Sequence, residues 1–306
     1  MKPKIILRDF RRRYREPVIK ALFRLFSRLP LSLSFRAGGL IGRILWLYNG
    51  EMRQVAQKNI DLCFPDWNEE KRKALCKQSL LETGKNITEV PALWCWDESA
   101  ILSLVHQVSG EEQIKNAFDN GRSVIILAPH LGAWEMVGLY LSIRYKMTSM
   151  YRPPEMTGLE HIVREGRSRF GANLVPTDTG GVRNLLAALK NREMIGVLPD
   201  QDPGRAGGEF APFYQVLANT VTFTSKLAQK TDADVIACYA KRDTEKKGYD
   251  LFFEPANKAI NDKNMAISLA ALNLETEKLI NQCPEQYQWS YKRFKTRPEG
   301  ENSFYQ

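Results

Sequence analysis

Ser123-Val-Ile-Ile-Leu-Ala-Pro-His-Leu-Gly-Ala-Trp-Glu135 is an apolar run that reaches a proline, a histidine and a glycine and then enters a second apolar segment. Residues 123–128 read as a buried strand, because a short Val- and Ile-rich run follows a turn at Asn120-Gly121 and stops at Pro129. Gly132 allows a sharp bend. Residues 133–141 have the length and composition of a helix, which puts Glu135 in or near its first turn, where a carboxylate suits the positive end of the helix.

Outward from this strand–turn–helix the same alternation continues. Residues 69–90 read as a helix with Asn68 as its cap, and 111–120 as a short helix feeding the strand at 123. Met147–Tyr151 is a second strand stopped by Pro153-Pro154, followed by a helix over 156–170 and a strand near 172–175. Gly180-Gly181 opens a helix at 182–191, and 194–198 is another buried strand. A helix at 218–230, strands at 234–241 and 249–254 and a helix at 263–281 complete the pattern. Alternation of this kind predicts an α/β fold, a mixed central sheet flanked by helices, with functional residues at the carboxyl ends of strands.

His130 and Glu135 carry chemistry if they meet. Five residues apart on one continuous helix they would point roughly 140° apart, whereas a strand, a turn and a helix let the carboxylate reach the imidazole. It would then fix the tautomer and stabilise the imidazolium formed when the other nitrogen takes a proton from a hydroxyl. That is a Ser-His-Asp triad without its serine, the nucleophile being the acceptor's own hydroxyl. The plainer reading of His130 is a hydrogen-bonded turn residue.

The loops after neighbouring strands add Arg152, Asp200, Gln201 and Arg205, which converge on one cleft if those strands are adjacent. Arg152 is either a solvated loop charge or a guanidinium for bidentate phosphate binding. Asp200 either caps a turn at Pro203-Gly204 or binds substrate, and the glycine-rich loop 204–208 is either flexible or admits substrate closely. Phe210–Ser225 has no charged residue over sixteen positions, and lines a tunnel for an apolar chain or is core. Near the carboxyl end Lys292, Arg293, Lys295 and Arg297 alternate with aromatics, as a solvated face or as a receiver of phosphates or of an acidic partner surface.

The charge is local. Residues 1–50 hold twelve Lys or Arg against two acids, a balance of +10, and the other 256 residues, with 32 basic and 33 acidic, come to −1. Lys2, Lys4, Arg8, Arg11, Arg12, Arg13, Arg15, Lys20 and Arg24 are interleaved with bulky apolar residues, a mixture suited to anionic membrane lipids. Arg24, Arg28, Arg36 and Arg43 interrupt every window of about 20 residues that a spanning helix would need. No secretory signal pattern is present, so residues 1–50 read as a basic amphipathic segment lying on the cytoplasmic face of a membrane, and 51–306 as an α/β catalytic domain. Gly38 and Gly42 form a small-xxx-small pair for helix packing, in lipid or in a soluble hairpin.

Several chemistries lose their warrant. The five cysteines are scattered and never spaced Cys-x-x-Cys, so neither a disulfide framework nor a zinc site is indicated. His106 and His161 lie in segments that read as helices without partners at metal-ligand spacing, and no cofactor or metal is expected. Gly166-Arg-Ser168-Arg-Phe-Gly171 misses a nucleophile elbow by one residue, and there is no P-loop or Gly-x-Gly-x-x-Gly. Nucleic-acid binding competes as an explanation of the basic arm, but no zinc-finger spacing or RNP-like motif supports it.

His130-Leu-Gly-Ala-Trp-Glu135 resembles the His-x-Gly-Asn-Trp-Glu signature of the bacterial lipid A biosynthesis acyltransferases. Pro199-Asp-Gln-Asp-Pro-Gly204 with Phe210-Ala-Pro-Phe213 is similar to their second block, and Pro284–Trp289 with Arg293–Pro298 to their third. The resemblance runs from about residue 17 to 300. It implies a glycerolipid-acyltransferase-like fold and transfer of an acyl chain from an acyl carrier protein thioester to a lipid A precursor at the inner membrane, with catalytic His130 and Glu135. The substrate-binding residues expected are Arg152, Asp200, Gln201, Arg205 and Arg293. Ala133 departs from the signature's Asn. Another membrane phospholipid or glycolipid as acceptor is the alternative, and a non-enzymatic membrane-surface or nucleic-acid binder the third reading.

Overall fold

The computed structural model describes residues 16–154 and 157–305, the side chains at 157 and 158 excepted. The basic residues Lys2 to Arg15 and the first residue of the helix expected at 156–170 lie outside the described residues. In chain order the elements are α1 (16–26), α2 (Leu31–Tyr48), α3 (Glu51–Cys63), α4 (Glu69–Cys95), α5 (Glu98–Ser103), β1 (Val105–Ser109), α6 (Glu112–Asp119), β2 (Val124–Leu127), α7 (Trp134–Arg144) and β3 (Met147–Tyr151). They continue with α8 (Thr157–Ser168), β4 (Asn173–Pro176), α9 (Thr179–Lys190), β5 (Met194–Val197), β6 (Gly208–Phe213), β7 (Val216–Val221), α10 (Phe223–Lys230), β8 (Asp234–Asp243), β9 (Gly248–Pro255) and α11 (Met265–Ile280).

Seven strands form one mixed sheet in the order β1-β9-β8-β2-β5-β3-β4, and β6 and β7 form a separate hairpin. β8 and β9 are antiparallel while the other neighbouring pairs are parallel, so β1 and β9 run against the remaining five. β2 lies at the centre and is buried along its whole length. Its side chains alternate between faces: Val124 and Ile126 join a cluster with Ile114, Met136 and Tyr140, and Ile125 and Leu127 join another with Leu185, Leu189, Leu269 and Leu272. A central strand covered on both faces reads as a continuous apolar run, which is why Val-Ile-Ile-Leu was recognisable.

At the amino-terminal side, α2 packs along α4. Gly38 and Gly42 of α2 face Gly84 of α4 so closely that a Cβ on Gly84 would collide with the carbonyl oxygen of Gly38. The small-residue pair therefore packs a hairpin of two helices. Asn68 caps α4 as expected, its side chain accepting from Lys71 N at 2.8 Å. The helix runs five residues beyond the expected end at 90, through Pro91. Proline in a helix interior costs about 3 kcal/mol, and complete burial of Ala92 and Leu93 just beyond it offsets that cost.

Three expectations are corrected. Residues 218–230 are not one helix: β7 occupies their start and α10 begins at Phe223. The hairpin turns at Tyr214-Gln215, both with positive φ (46° and 67°), the geometry of a type I′ turn. That turn usually carries Asn-Gly, so its sequence signal is missing here, and Val216, Thr220 and Val221 take strand geometry. His106 lies on β1 rather than on a helix, because Val105–Ser109 is drawn into parallel pairing with β9, a partner more than 140 residues distant. Helix α9 begins at Thr179, three residues earlier than Gly180-Gly181 implied, because Asp178 caps it by accepting from Gly181 N at 2.9 Å.

Gly84→Leu is expected to separate α2 from α4 and to destabilise the fold by at least the 1–3 kcal/mol typical of overpacking, seen as a lowered Tm in thermal denaturation followed by circular dichroism.

Candidate active site

The carboxyl ends of β2 and β5 build the site. These strands are parallel neighbours, with Leu127 opposite Val197. Three residues beyond each come His130 and Asp200, and the two meet: His130 Nδ1 lies 2.9 Å from Asp200 Oδ1, and the His130 backbone N–H donates to Asp200 Oδ2 at 3.0 Å. A carboxylate only accepts, so the ring proton sits on Nδ1 and Nε2 carries the lone pair. Asp200 is 3% exposed. Burial alone would raise its carboxyl, but attraction to His130 and the hydrogen bonds from His130 outweigh that and hold it below the ordinary value.

The carboxylate expected on His130 is therefore supplied by a different residue. Glu135 has both oxygens taken from another side: Arg167 of α8 grips them through Nε and Nη2, and Trp94 Nε1 donates to Oε2 at 3.1 Å. The first turn of α7 directs Glu135 toward α4 and α8, while the β5 loop reaches the imidazole first. Burial opposes ionisation of Glu135, and Arg167 overcomes it, with smaller help from Trp94 and His130, so this carboxyl too lies below its usual value. Gly166 makes the contact with α4 feasible, since a Cβ there would strike the Trp94 ring.

The loop bearing His130 is held from behind. Gly132 has φ +60°, and a Cβ there would collide with the Ala240 carbonyl. Ala133 N donates to Ala240 O at 2.9 Å, Gly132 N to Gln286 O at 3.0 Å, and Gln288 N to His130 O at 3.1 Å. The Gln286 amide in turn exchanges hydrogen bonds with the Arg242 backbone, and the buried Arg242 guanidinium pairs with Glu89 and Glu82 of α4. Ala133 sits at the N-cap of α7 without a side-chain cap, where Asn would serve as one.

His130, Glu135, Arg152, Arg167 and Gln201 share the wall of one cavity of about 1330 Å³, which continues between apolar side chains such as Val137, Met150, Leu174, Val182, Val221 and Phe223. That exceeds the 300–1,000 Å³ usual for small-ligand pockets. Gln201 places its amide nitrogen 3.1 Å from His130 Nε2. Arg152 lines the cavity and is exposed. The uncharged stretch divides: Val221, Thr222 and Phe223 face the cavity, whereas Ala211, Phe213 and Ala218 are core.

Other expected positions stand elsewhere. Asp200 neither caps the turn nor lines the cavity; the cap is Asp202, which accepts from Gly204 N at 2.7 Å. Arg205 is exposed on the loop before β6, outside the cavity lining. Arg293 is 2% exposed and donates to Asn219 O, Thr220 Oγ1 and Asn273 Oδ1, binding the carboxyl-terminal coil to β7 and α11. It is a structural cation because a buried guanidinium must spend its donors on nearby acceptors. Arg167 and Trp94 escaped notice in the sequence: the first lies in the stretch dismissed as a failed nucleophile elbow, and neither carries a local signal of its distant partner.

The chain matches the family described as bacterial lipid A biosynthesis acyltransferase over residues 9–296, and it belongs to that family. It is similar to the lipid A biosynthesis palmitoleoyltransferase of Escherichia coli K12, at 31% identity over 92% of this chain and 91% of the relative. The lauroyltransferase of the same organism is 27% identical over 92% and 91%, and its myristoyltransferase 24% identical over 85% and 80%.

Asp200→Asn is expected to leave the fold intact and slow acyl transfer by about 10⁴, the scale seen when a histidine loses its orienting carboxylate, measured by product formation from a radiolabelled acyl donor. Because the folded carboxyl ionises below the unfolded value of about 3.9, its contribution to stability is complete above that value and is lost as pH falls through the lower folded one. Plots of Tm against pH should therefore be flatter for Asp200→Asn below about pH 4.

Proposed function

We propose that this protein moves a fatty acyl chain from the thioester of an acyl carrier protein to a hydroxyl of a lipid A precursor that already bears the inner sugar acids, forming a secondary acyloxyacyl chain at the cytoplasmic face of the inner membrane. The observation that carries this reading is an imidazole with its Nδ1 fixed by a buried carboxylate, standing in the wall of a large, mainly apolar cavity. In the proposed reaction Nε2 of His130 takes the proton of the acceptor hydroxyl as its oxygen attacks the thioester carbonyl, and Asp200 stabilises the imidazolium. The carbon–sulfur bond then breaks, and the proton passes to the departing thiolate.

Negative charge develops on the carbonyl oxygen, and two groups are suited to it. The backbone N–H groups of Trp134 and Glu135, in the first turn of α7, come four and five residues after His130, and the Arg167 guanidinium is held on the same wall by Glu135. Donors fixed in advance at such a position cost no reorganisation during the reaction. Glu135 thus acts on the chemistry through Arg167. Arg152 and the basic cavity-lining residues Arg183 and Lys226 suit phosphate groups of donor or acceptor.

Association with the membrane surface is supported by α1 and α2. Val18, Leu22 and Leu25 of α1 are exposed at helical spacing, as are Leu40, Ile44 and Leu47 on the side of α2 away from α4, and Arg24, Arg28, Arg36 and Arg43 are exposed among them. Among the described residues no helix is long and apolar enough to cross a membrane. An apolar stripe with basic flanks fits an anionic bilayer surface, each cation adding about 1 kcal/mol.

With an acyl carrier protein thioester and a lipid A precursor, the wild-type protein is expected to add the mass of one acyl chain to the precursor, and His130→Ala to add none while keeping its circular dichroism spectrum. A well-folded His130→Ala protein with wild-type transfer would refute the assignment. Replacing Leu40, Ile44 and Leu47 together by serine is expected to lower co-sedimentation with anionic vesicles by about tenfold or more, since each buried leucine-sized side chain contributes roughly 1.5–3 kcal/mol.

A further inference from the structure

Both ring nitrogens of His130 are occupied by the protein itself. With Nδ1 on Asp200, the lone pair of Nε2 meets the side-chain amide of Gln201 at 3.1 Å. The same amide nitrogen lies 3.5 Å from Gln288 Oε1, and the Gln288 backbone donates to the His130 carbonyl at 3.1 Å. Gln201 is thus held between the imidazole and the carboxyl-terminal segment that supports the imidazole. It also lines the cavity, at the spot where an attacking oxygen would have to stand.

We propose that Gln201 is a gate on the base: its amide closes Nε2 of His130 until an acceptor hydroxyl displaces it, and it thereby sets how much acyl thioester is transferred and how much is lost to water. The inference rests on the acyltransferase reading above. A cavity wide enough for a fatty chain admits water, and an uncovered Nε2 would activate it. The water oxygen would bond to the acyl carbon, the carbon–sulfur bond would break, and His130 would pass the water proton to the thiolate, releasing free acid and thiol.

A water molecule that displaces the amide gains one hydrogen bond in exchange for the one broken. A docked glycolipid makes the same exchange but brings binding energy from its remaining groups, so it opens the gate where water does not. An amide suits the position because its N–H₂ donates to a neutral ring without adding charge. The charged groups around this ring are Asp200 on Nδ1, the Glu135–Arg167 pair and Arg152 on the cavity wall, with the Trp134 ring edge-on at 5.1 Å.

The test uses the full-length protein with a lauroyl acyl carrier protein thioester, recording thiol release, free laurate and acylated lipid A precursor together. In Gln201→Ala the laurate-to-product ratio is expected to rise roughly tenfold, the scale of one ordinary hydrogen bond. In Gln201→Glu a carboxylate would face Nε2 and hold a proton there, so both outputs should fall at neutral pH and return at higher pH, moving the acid limb of the rate profile upward. A residue that merely packs the loop would lower both outputs in proportion and leave that limb in place. An unchanged ratio in Gln201→Ala, with wild-type transfer intact, overturns the gate alone; absence of product from the wild-type protein overturns the acyltransferase reading itself.

Discussion

One hydrogen-bonded pair, the Asp200 carboxylate on the ring and backbone of His130, organises the functional end of the molecule. Its partners belong to loops 70 residues apart in sequence, and they meet because β2 and β5 pair in parallel with Leu127 opposite Val197. Each residue lies three positions beyond its strand. Side chains alternate along a strand, so a slip of one residue would turn the buried sets of both strands toward the wrong faces. The sheet register that buries Ile126 and Ile195 is thus also the register that brings His130 to Asp200. Hydrogen bonds to a charged group contribute about 1.5–3 kcal/mol each, enough to keep a carboxylate ionised where burial opposes it.

The pair also needs a rigid backing, and the carboxyl-terminal block supplies it. Gln286 and Gln288 bond the His130 loop through their backbones, and the Gln286 amide ties that contact to Arg242 on β8. Behind Arg242 stands Glu89 of α4, whose carboxyl is raised because burial outweighs the attraction of Arg242. Removing one member of such a buried ion pair strands the other, at a cost of about 3–5 kcal/mol. Residues far from the cavity in sequence therefore fix the position of the imidazole, and the Trp289 carbonyl, which accepts from the Asn59 amide of α3, and the Arg293 guanidinium fasten that same block to the core.

Much of this was legible from local pattern. The strands at 123–128, 147–151 and 194–198 are short β-branched or apolar runs bounded by glycine, proline or turn residues, and the helices at 69–90 and 263–281 carry Asn caps or long apolar periodicity. His130 stood out because it ends a buried strand before a glycine. The identity of its partner did not, because Glu135 was near in sequence and Asp200 near only through strand pairing. The same limit hid Arg167 and Trp94, which reach Glu135 from two other helices, and made Arg293 look solvated. For 216–221 the obstacle was local: Tyr-Gln in a turn that ordinarily announces itself with Asn-Gly left an uncharged run with no visible punctuation.

The separation of the two carboxylates has a physical sense. A single carboxylate shared between His130 and Arg167 would have its charge divided, and its geometry would compromise between a ring nitrogen and a planar fork. With two, Asp200 faces the imidazole alone and Glu135 offers both oxygens to the guanidinium. Under the proposed reaction these demands differ in time as well as in place. Positive charge grows on the ring next to Asp200 as the hydroxyl proton arrives, while negative charge grows on the carbonyl oxygen, where Arg167 can meet it only if Glu135 keeps the fork oriented without drawing it out of the cavity. A carboxylate that is buried and held on two sides, by Arg167 and by Trp94, meets that condition, since it cannot follow the guanidinium if the latter shifts toward substrate. The resulting array keeps cation and base on one wall with opposite tasks, each fixed by its own anion.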